Sequence, residues 1–131
     1  MASYRTSLSR ARGLGAAGHG VGNWISERVT SIALVPLVIW GVSAALLLAK
    51  GDYQTAVIWL GSPLNAVLLA LLLAIGFWHM HAGMRVVVED YVARTLSRSA
   101  LLLLNLFVCV LGAALAIFAI AKVAITGGGV A

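Results

Sequence analysis

Polar and apolar residues along this chain come in separate blocks. Val29 to Ala49, Leu64 to Met84 and Ala100 to Ala121 are apolar runs without Lys, Arg, Asp or Glu. Each holds about 21 residues, enough for a helix to cross a hydrocarbon core roughly 30 Å thick. The runs lack the period of two that marks a strand, and an open sheet edge in lipid would leave backbone N–H and C=O groups without partners. The pattern predicts an all-α integral membrane protein with three transmembrane helices. It forms one domain over 1–131, with a cytoplasmic tail at 1–27 and spans at about 29–49, 64–88 and 100–121.

The ends of the runs are marked. Trp24, Glu27 and Arg28 precede the first, and Lys50, Gly51 and Asp52 close it. Ser62 is placed to cap the second, with Pro63 at the first helical position, where a missing N–H does no harm. Arg85, Glu89 and Asp90 follow that run, then Arg94 and Arg98; Lys122 closes the third before the Gly127-Gly128-Gly129 tail. Arg5, Arg10, Arg12 and Arg28 precede the first span and Arg85, Arg94 and Arg98 follow the second, against only Lys50 and Lys122 on the alternate segments. With three spans both Arg-rich pieces lie on one side. The positive-inside rule makes that side the cytoplasm, or the matrix in a mitochondrion, with the C-terminus outside.

Composition agrees. Hydrophobic residues make up 62% and charged residues 10%, against roughly 25% charged in an ordinary soluble domain. The net charge of +5 is scattered over the extramembrane pieces, which excludes nucleic-acid binding, since that needs a concentrated basic face. The single cysteine, Cys109, lies in an apolar run and reads as a small hydrophobe. Met1 to Arg12 is rich in Ser and Arg without an acid, as organelle transit peptides are, and no apolar stretch lies near enough to the start for a secretory signal. Gly13-Leu14-Gly15-Ala16-Ala17-Gly18 matches G-x-G-x-x-G, but that pattern binds dinucleotides only between a strand and a helix of a βαβ unit. Here it reads as an irregular lead into the membrane.

His79 carries the first chemistry. It lies inside the second span, six residues or about 9 Å from Arg85. An ionisable side chain at that depth marks function by default, and a neutral imidazole in a dry site suits ligation of a metal, above all haem iron. A histidine bonded to a neighbouring helix is the other reading. On a helix Gly83 lies about 40° and Gly76 about 60° from His79, which would let a flat macrocycle or another helix approach the backbone. His81 points about 200° away, so the two histidines cannot share a metal, and it reads as a hydrogen-bonding residue. Arg28 and Arg85 stand at one membrane edge, where a guanidinium suits a haem propionate or simply anchors the boundary. Asp90 lies about 20° and Tyr91 about 120° from His79, Tyr91 about 18 Å along the axis. Tyr91 is then an interfacial belt residue or a hydrogen-bond donor to a quinone carbonyl, with Asp90 beside it to hold an Arg or relay protons.

Taken together, His79-x-x-x-Gly83-Met84 and Val87-x-x-Asp90-Tyr91-Val92 resemble the signature of the small hydrophobic membrane-anchor subunit of succinate dehydrogenase, respiratory complex II. Trp24-x-x-Glu27-Arg28-x-Thr30-Ser31-Ile32-Ala33-Leu34-Val35-Pro36-Leu37 looks like the first-helix approach of its alphaproteobacterial form. The similarity covers about residues 13 to 92, and the third helix carries no distinctive motif.

The resemblance implies that His79 is an axial ligand of haem b, Tyr91 the donor to ubiquinone, Asp90 its acidic neighbour and Arg28 a basic residue near the haem propionates. Arg85 stands where other members carry a non-basic residue. The second axial ligand would come from a partner cytochrome b subunit, with which this chain forms a heterodimeric anchor bundle. The flavin and iron–sulfur centres would belong to flavoprotein and iron–sulfur subunits. The chain alone would catalyse nothing; in the complex, electrons from succinate reach ubiquinone near Tyr91. The implied location is a bacterial inner membrane, in preference to a mitochondrial inner membrane. The competing readings are a small transporter or non-redox scaffold, and an anchor of a related fumarate reductase.

Overall fold

The computed structural model describes residues 6–11 and 20–127. Arg5, Arg12, the Gly13–Gly18 motif, Gly128 and Gly129 lie outside them. Among the described residues five helices follow in order: α1 (Ser7–Ala11), α2 (Gly20–Leu48), α3 (Tyr53–Gly61), α4 (Pro63–Tyr91) and α5 (Thr95–Thr126). Helices α2, α4 and α5 are each long and apolar enough to span a membrane. No strand occurs among the described residues.

The long helices overrun the apolar runs. α2 has 29 residues, α4 29 and α5 32, so each extends to about 44 Å or more at 1.5 Å per residue. The surplus lies mostly at the Arg-rich end. There α2 continues back through Arg28 to Gly20, and α4 continues through Arg85 and Asp90 to Tyr91. Pro36 lies inside α2, where it removes one ladder donor without ending the helix.

α4 is the central helix, packed against α2 on one side and α5 on the other. Both crossings are antiparallel. As α2 runs from Thr30 to Gly41, its contacts on α4 move back from His79 to Leu72. As α4 runs from Phe77 to His81, its contacts on α5 move back from Gly112 to Asn105. Arg28, Arg85, Arg94 and Arg98 therefore share one end of the bundle, and Lys50 and Lys122 the other.

α3 is the element the hydrophobic pattern did not predict. It is only nine residues long, too short to register as a span beside three longer runs. Asp52 starts it, its carboxylate accepting from the Thr55 N–H at 2.9 Å and the Thr55 hydroxyl at 2.7 Å. Those two bonds, the backbone one first, hold Asp52 below the usual carboxylate range. Val57 turns inward, and α3 packs on α4 and α5. Trp59 stacks on Trp40 of α2, with ring centroids 5.7 Å apart. Ser62 does occupy the N-cap position of α4 with Pro63 following, but its hydroxyl makes no capping bond. Asn65 instead reaches back to the Trp59 carbonyl at 2.9 Å, satisfying the end of α3.

Burial confirms the solvent. Among the described residues only Val57, Val88, Cys109 and Ile120 form a buried apolar core, while large apolar side chains lie exposed along all three long helices. Water would not tolerate that much apolar surface on a small chain; lipid and neighbouring helices do.

Candidate functional site

The polar chemistry of the bundle gathers on α4 between Trp78 and Tyr91. His79 faces α2. Its Nδ1 lies 3.0 Å from the Thr30 hydroxyl oxygen. That hydroxyl also lies 2.8 Å from the Ser26 carbonyl and 3.0 Å from the Glu27 carbonyl. A carbonyl has no hydrogen to offer, so the single hydroxyl hydrogen of Thr30 goes to its own helix. The Thr30 oxygen is then an acceptor, and Nδ1–H of His79 donates to it. Nε2 of His79 keeps its lone pair, facing away from Thr30.

His81 faces α5 and has the opposite arrangement. The Asn105 amide nitrogen lies 3.0 Å from His81 Nδ1 and 3.0 Å from the His81 carbonyl. The Cys109 thiol donates to the Asn105 side-chain oxygen at 3.4 Å. The contact with a carbonyl requires the amide nitrogen, not its oxygen, on that side, which fixes the amide's orientation. Nδ1 of His81 is then an acceptor, and Nε2 carries the hydrogen. A neutral imidazole so arranged has no lone pair left for a metal.

The glycines divide differently. A Cβ on Gly41 would meet Leu72 Cδ2 at 2.6 Å, and one on Gly112 would meet the Phe77 ring at 2.7 Å. These two allow the close helix crossings. Gly76 and Gly83 have nothing within 4 Å of a built Cβ. Among the described residues no side chain or neighbouring helix packs against them, and the backbone beside His79 is open. An apolar groove of about 350 Å³, lined by Leu34, Val38, Leu73, Gly76 and Met80 among others, runs along this flank.

A polar groove of about 290 Å³ occupies the other flank of α4, between Ser26 and Glu27 of α2 and Trp78, His81, Arg85 and Glu89. The Trp78 indole N–H donates to the Ser26 hydroxyl at 3.2 Å. Arg85 Nε pairs with Glu89 at 2.8 Å, one turn further on. Arg28 lies over the Trp24 ring, 5.6 Å from its centroid. It stands about 200° round α2 from Thr30, so the structure does not bring it to the wall that holds His79. Asp90 is exposed, and Tyr91 is 84% exposed with no hydrogen-bond partner among the described residues.

Sequence reasoning missed two residues here. Thr30 appeared only inside a longer motif, yet it fixes which nitrogen of His79 is free. Asn105 appeared in a helix without a motif, yet it is the amide that holds His81. Both were visible as polar residues in apolar runs facing a histidine-bearing helix; their pairing needed the crossing register.

The family described as succinate dehydrogenase/fumarate reductase transmembrane subunit matches residues 2–120. The succinate dehydrogenase hydrophobic membrane anchor subunit of Rickettsia conorii is 30% identical over 108 residues, 82% of this chain and 86% of the relative. The protein of the same name from Rickettsia felis is 34% identical over 91 residues, 70% of this chain and 76% of the relative. That from Rickettsia bellii is 28% identical over 100 residues, 76% and 80%. No solved structure matches the chain significantly.

Proposed function

The chain belongs to the succinate dehydrogenase/fumarate reductase transmembrane subunit family, and from that premise we propose that it anchors a succinate dehydrogenase in a bacterial inner membrane, helping to hold haem b and ubiquinone. The observation that carries the reading is the His79 imidazole: Nδ1 engaged by Thr30, Nε2 free, and open backbone at Gly76 and Gly83 alongside. Those residues fit a flat iron macrocycle with an axial histidine. When bound, haem supplies one-electron storage at that depth of the membrane. A partner cytochrome b subunit would complete the haem site and cover apolar surface that this chain leaves exposed.

The remaining site residues take roles at the Arg-rich end, which faces the cytoplasm by the positive-inside rule. Arg85 uses Nε on Glu89 and keeps its Nη donors to offer to a haem propionate, while Arg28, turned to Trp24 and away from the His79 wall, anchors the membrane boundary. Tyr91 offers its phenol to a carbonyl of ubiquinone, and Asp90 orients a basic partner. The flavoprotein and iron–sulfur subunits dock on this end and deliver the electrons of succinate oxidation. Ubiquinone then takes up two electrons and two protons to become ubiquinol. A hydrogen bond to a carbonyl that gains charge strengthens as reduction proceeds, so Tyr91 aids turnover as well as binding.

The test is purification of the complex from membranes. Haem b absorption together with flavin and iron–sulfur subunits is expected; a complex lacking all of them leaves the scaffold or transporter reading. Tyr91→Phe should lower quinone reductase activity about tenfold, the effect of losing about 1.4 kcal/mol in the transition state. Succinate oxidation with an artificial acceptor upstream of the quinone should persist. Unchanged quinone reduction would make Tyr91 an interfacial anchor only.

A further inference from the structure

We infer that Thr30 is a positioning residue for the haem iron: its hydroxyl oxygen accepts Nδ1–H of His79, turns Nε2 toward the metal and raises the electron density there. This rests on His79 being the axial ligand. Three observations combine. The Thr30 oxygen is 3.0 Å from Nδ1. Its hydrogen is directed to the Ser26 and Glu27 carbonyls at 2.8 and 3.0 Å, so only its acceptor side faces the imidazole. The two helices are brought together further along by the Gly41–Leu72 contact, so the oxygen sits on a fixed wall and not on a mobile loop.

The consequence is electronic. An imidazole that donates its distal N–H to an acceptor is a better donor to the metal through its other nitrogen. A better donor favours the ferric over the ferrous iron, which lowers the reduction potential. A histidine turned by an amide donor, as His81 is by Asn105, would have no such nitrogen to present. Thr30 thus selects which nitrogen is presented and sets the haem potential downward.

Three variants of the whole membrane complex test this. Thr30→Val keeps the shape and removes the hydroxyl; Thr30→Ser keeps the hydroxyl and removes the methyl. The readouts are the haem midpoint potential by redox titration and the retention of haem against an apo-protein acceptor. Valine should raise the potential, each tenfold change in the ferric-to-ferrous equilibrium appearing as about 59 mV for one electron. It should also weaken haem retention about tenfold, as loss of an outer partner of a metal-bound histidine does. Serine should behave as the parent. If valine prevents assembly, Thr30→Ala, which leaves a gap and not a misfit, carries the same expectation. An unchanged potential in a haem-loaded Val or Ala complex overturns the proposal, as does a serine variant shifted as far as valine. His79→Ala measured alongside separates the two levels: an unaltered haem spectrum there overturns the ligand reading itself, whatever Thr30 does.

Discussion

On the wall of α4 that faces α2, His79 meets a hydroxyl whose one hydrogen is already given to its own helix. On the wall that faces α5, His81 meets an amide with two hydrogens to give. The two histidines are two residues apart on one helix, yet their free nitrogens differ in kind. His79 presents a lone pair and His81 presents an N–H. The glycines divide differently: Gly41 of α2 and Gly112 of α5 are both filled to contact by side chains of α4, while Gly76 and Gly83 of α4 itself stand open on the flank of His79. One histidine presents an acceptor nitrogen and the other an N–H. What decides is the donor count of the facing residue, not the histidine.

The strongest way to break this comparison is to remove each imidazole in turn. His79→Ala should abolish the haem b spectrum of the purified complex or convert it to that of a species lacking one imidazole. His81→Ala should leave ligation by two imidazoles intact. An absorption spectrum of each complex decides it, and the reverse pattern would mean that the walls have been assigned the wrong way round.

A smaller effect separates the walls by packing. Gly112→Ala would drive a methyl to 2.7 Å from Phe77 Cε1 and 2.9 Å from Cζ, and the ring must move as a plate. Gly41→Ala would press on Leu72 Cδ2, the end of a flexible side chain beside an open groove. Overpacking a fitted contact costs about 1–3 kcal/mol, against roughly 0.5–1 kcal/mol gained on replacing a helical glycine by alanine. Gly112→Ala should therefore lower stability by up to about 2 kcal/mol, while Gly41→Ala stays near the parent. Thermal unfolding midpoints of the two variants in one detergent make the check. A larger loss at Gly41 would show that the α2 wall is the tighter of the two.

The sequence showed the three long helices because an apolar run of about 21 residues has one physical solution in lipid. It showed His79 because a histidine inside such a run is rare. It did not show α3, whose nine residues carry one inward Val57 and gain stability from contacts with α4 and α5 and from the Trp59–Trp40 stack on α2. Nor did it show that Arg28 stacks on Trp24 one turn away or that Arg85 pairs with Glu89, because a boundary arginine has several partners in reach. The Thr30–His79 and Asn105–His81 pairs span 49 and 24 residues. Such pairs depend on the crossing register of two helices, which no local pattern encodes.

The finest test is Asn105→Leu, where each lost bond has a physical reason to cost little. The His81 carbonyl lies in the interior of α4, where the helix ladder already supplies a donor, so the Asn105 bond to it is an addition and not its sole partner. The Cys109 thiol is a weak donor and loses little. The bond to His81 Nδ1 is the substantial loss, but that ring also borders the open polar groove, where it can find another partner. Side-chain hydrogen bonds between membrane helices average about 0.6 kcal/mol and reach about 1.7. Asn105→Leu should fall in that range of lost stability, read from the same unfolding midpoints. It should leave the haem potential where it was, because nothing on the α5 wall touches the nitrogen that His79 presents. Thr30→Val removes a bond of the same kind, the acceptor of His79 Nδ1–H, so its stability loss should fall in the same range, but it should also raise the potential. If Asn105→Leu moves the potential as far as Thr30→Val does, the two walls of α4 are one coupled network and their separation fails.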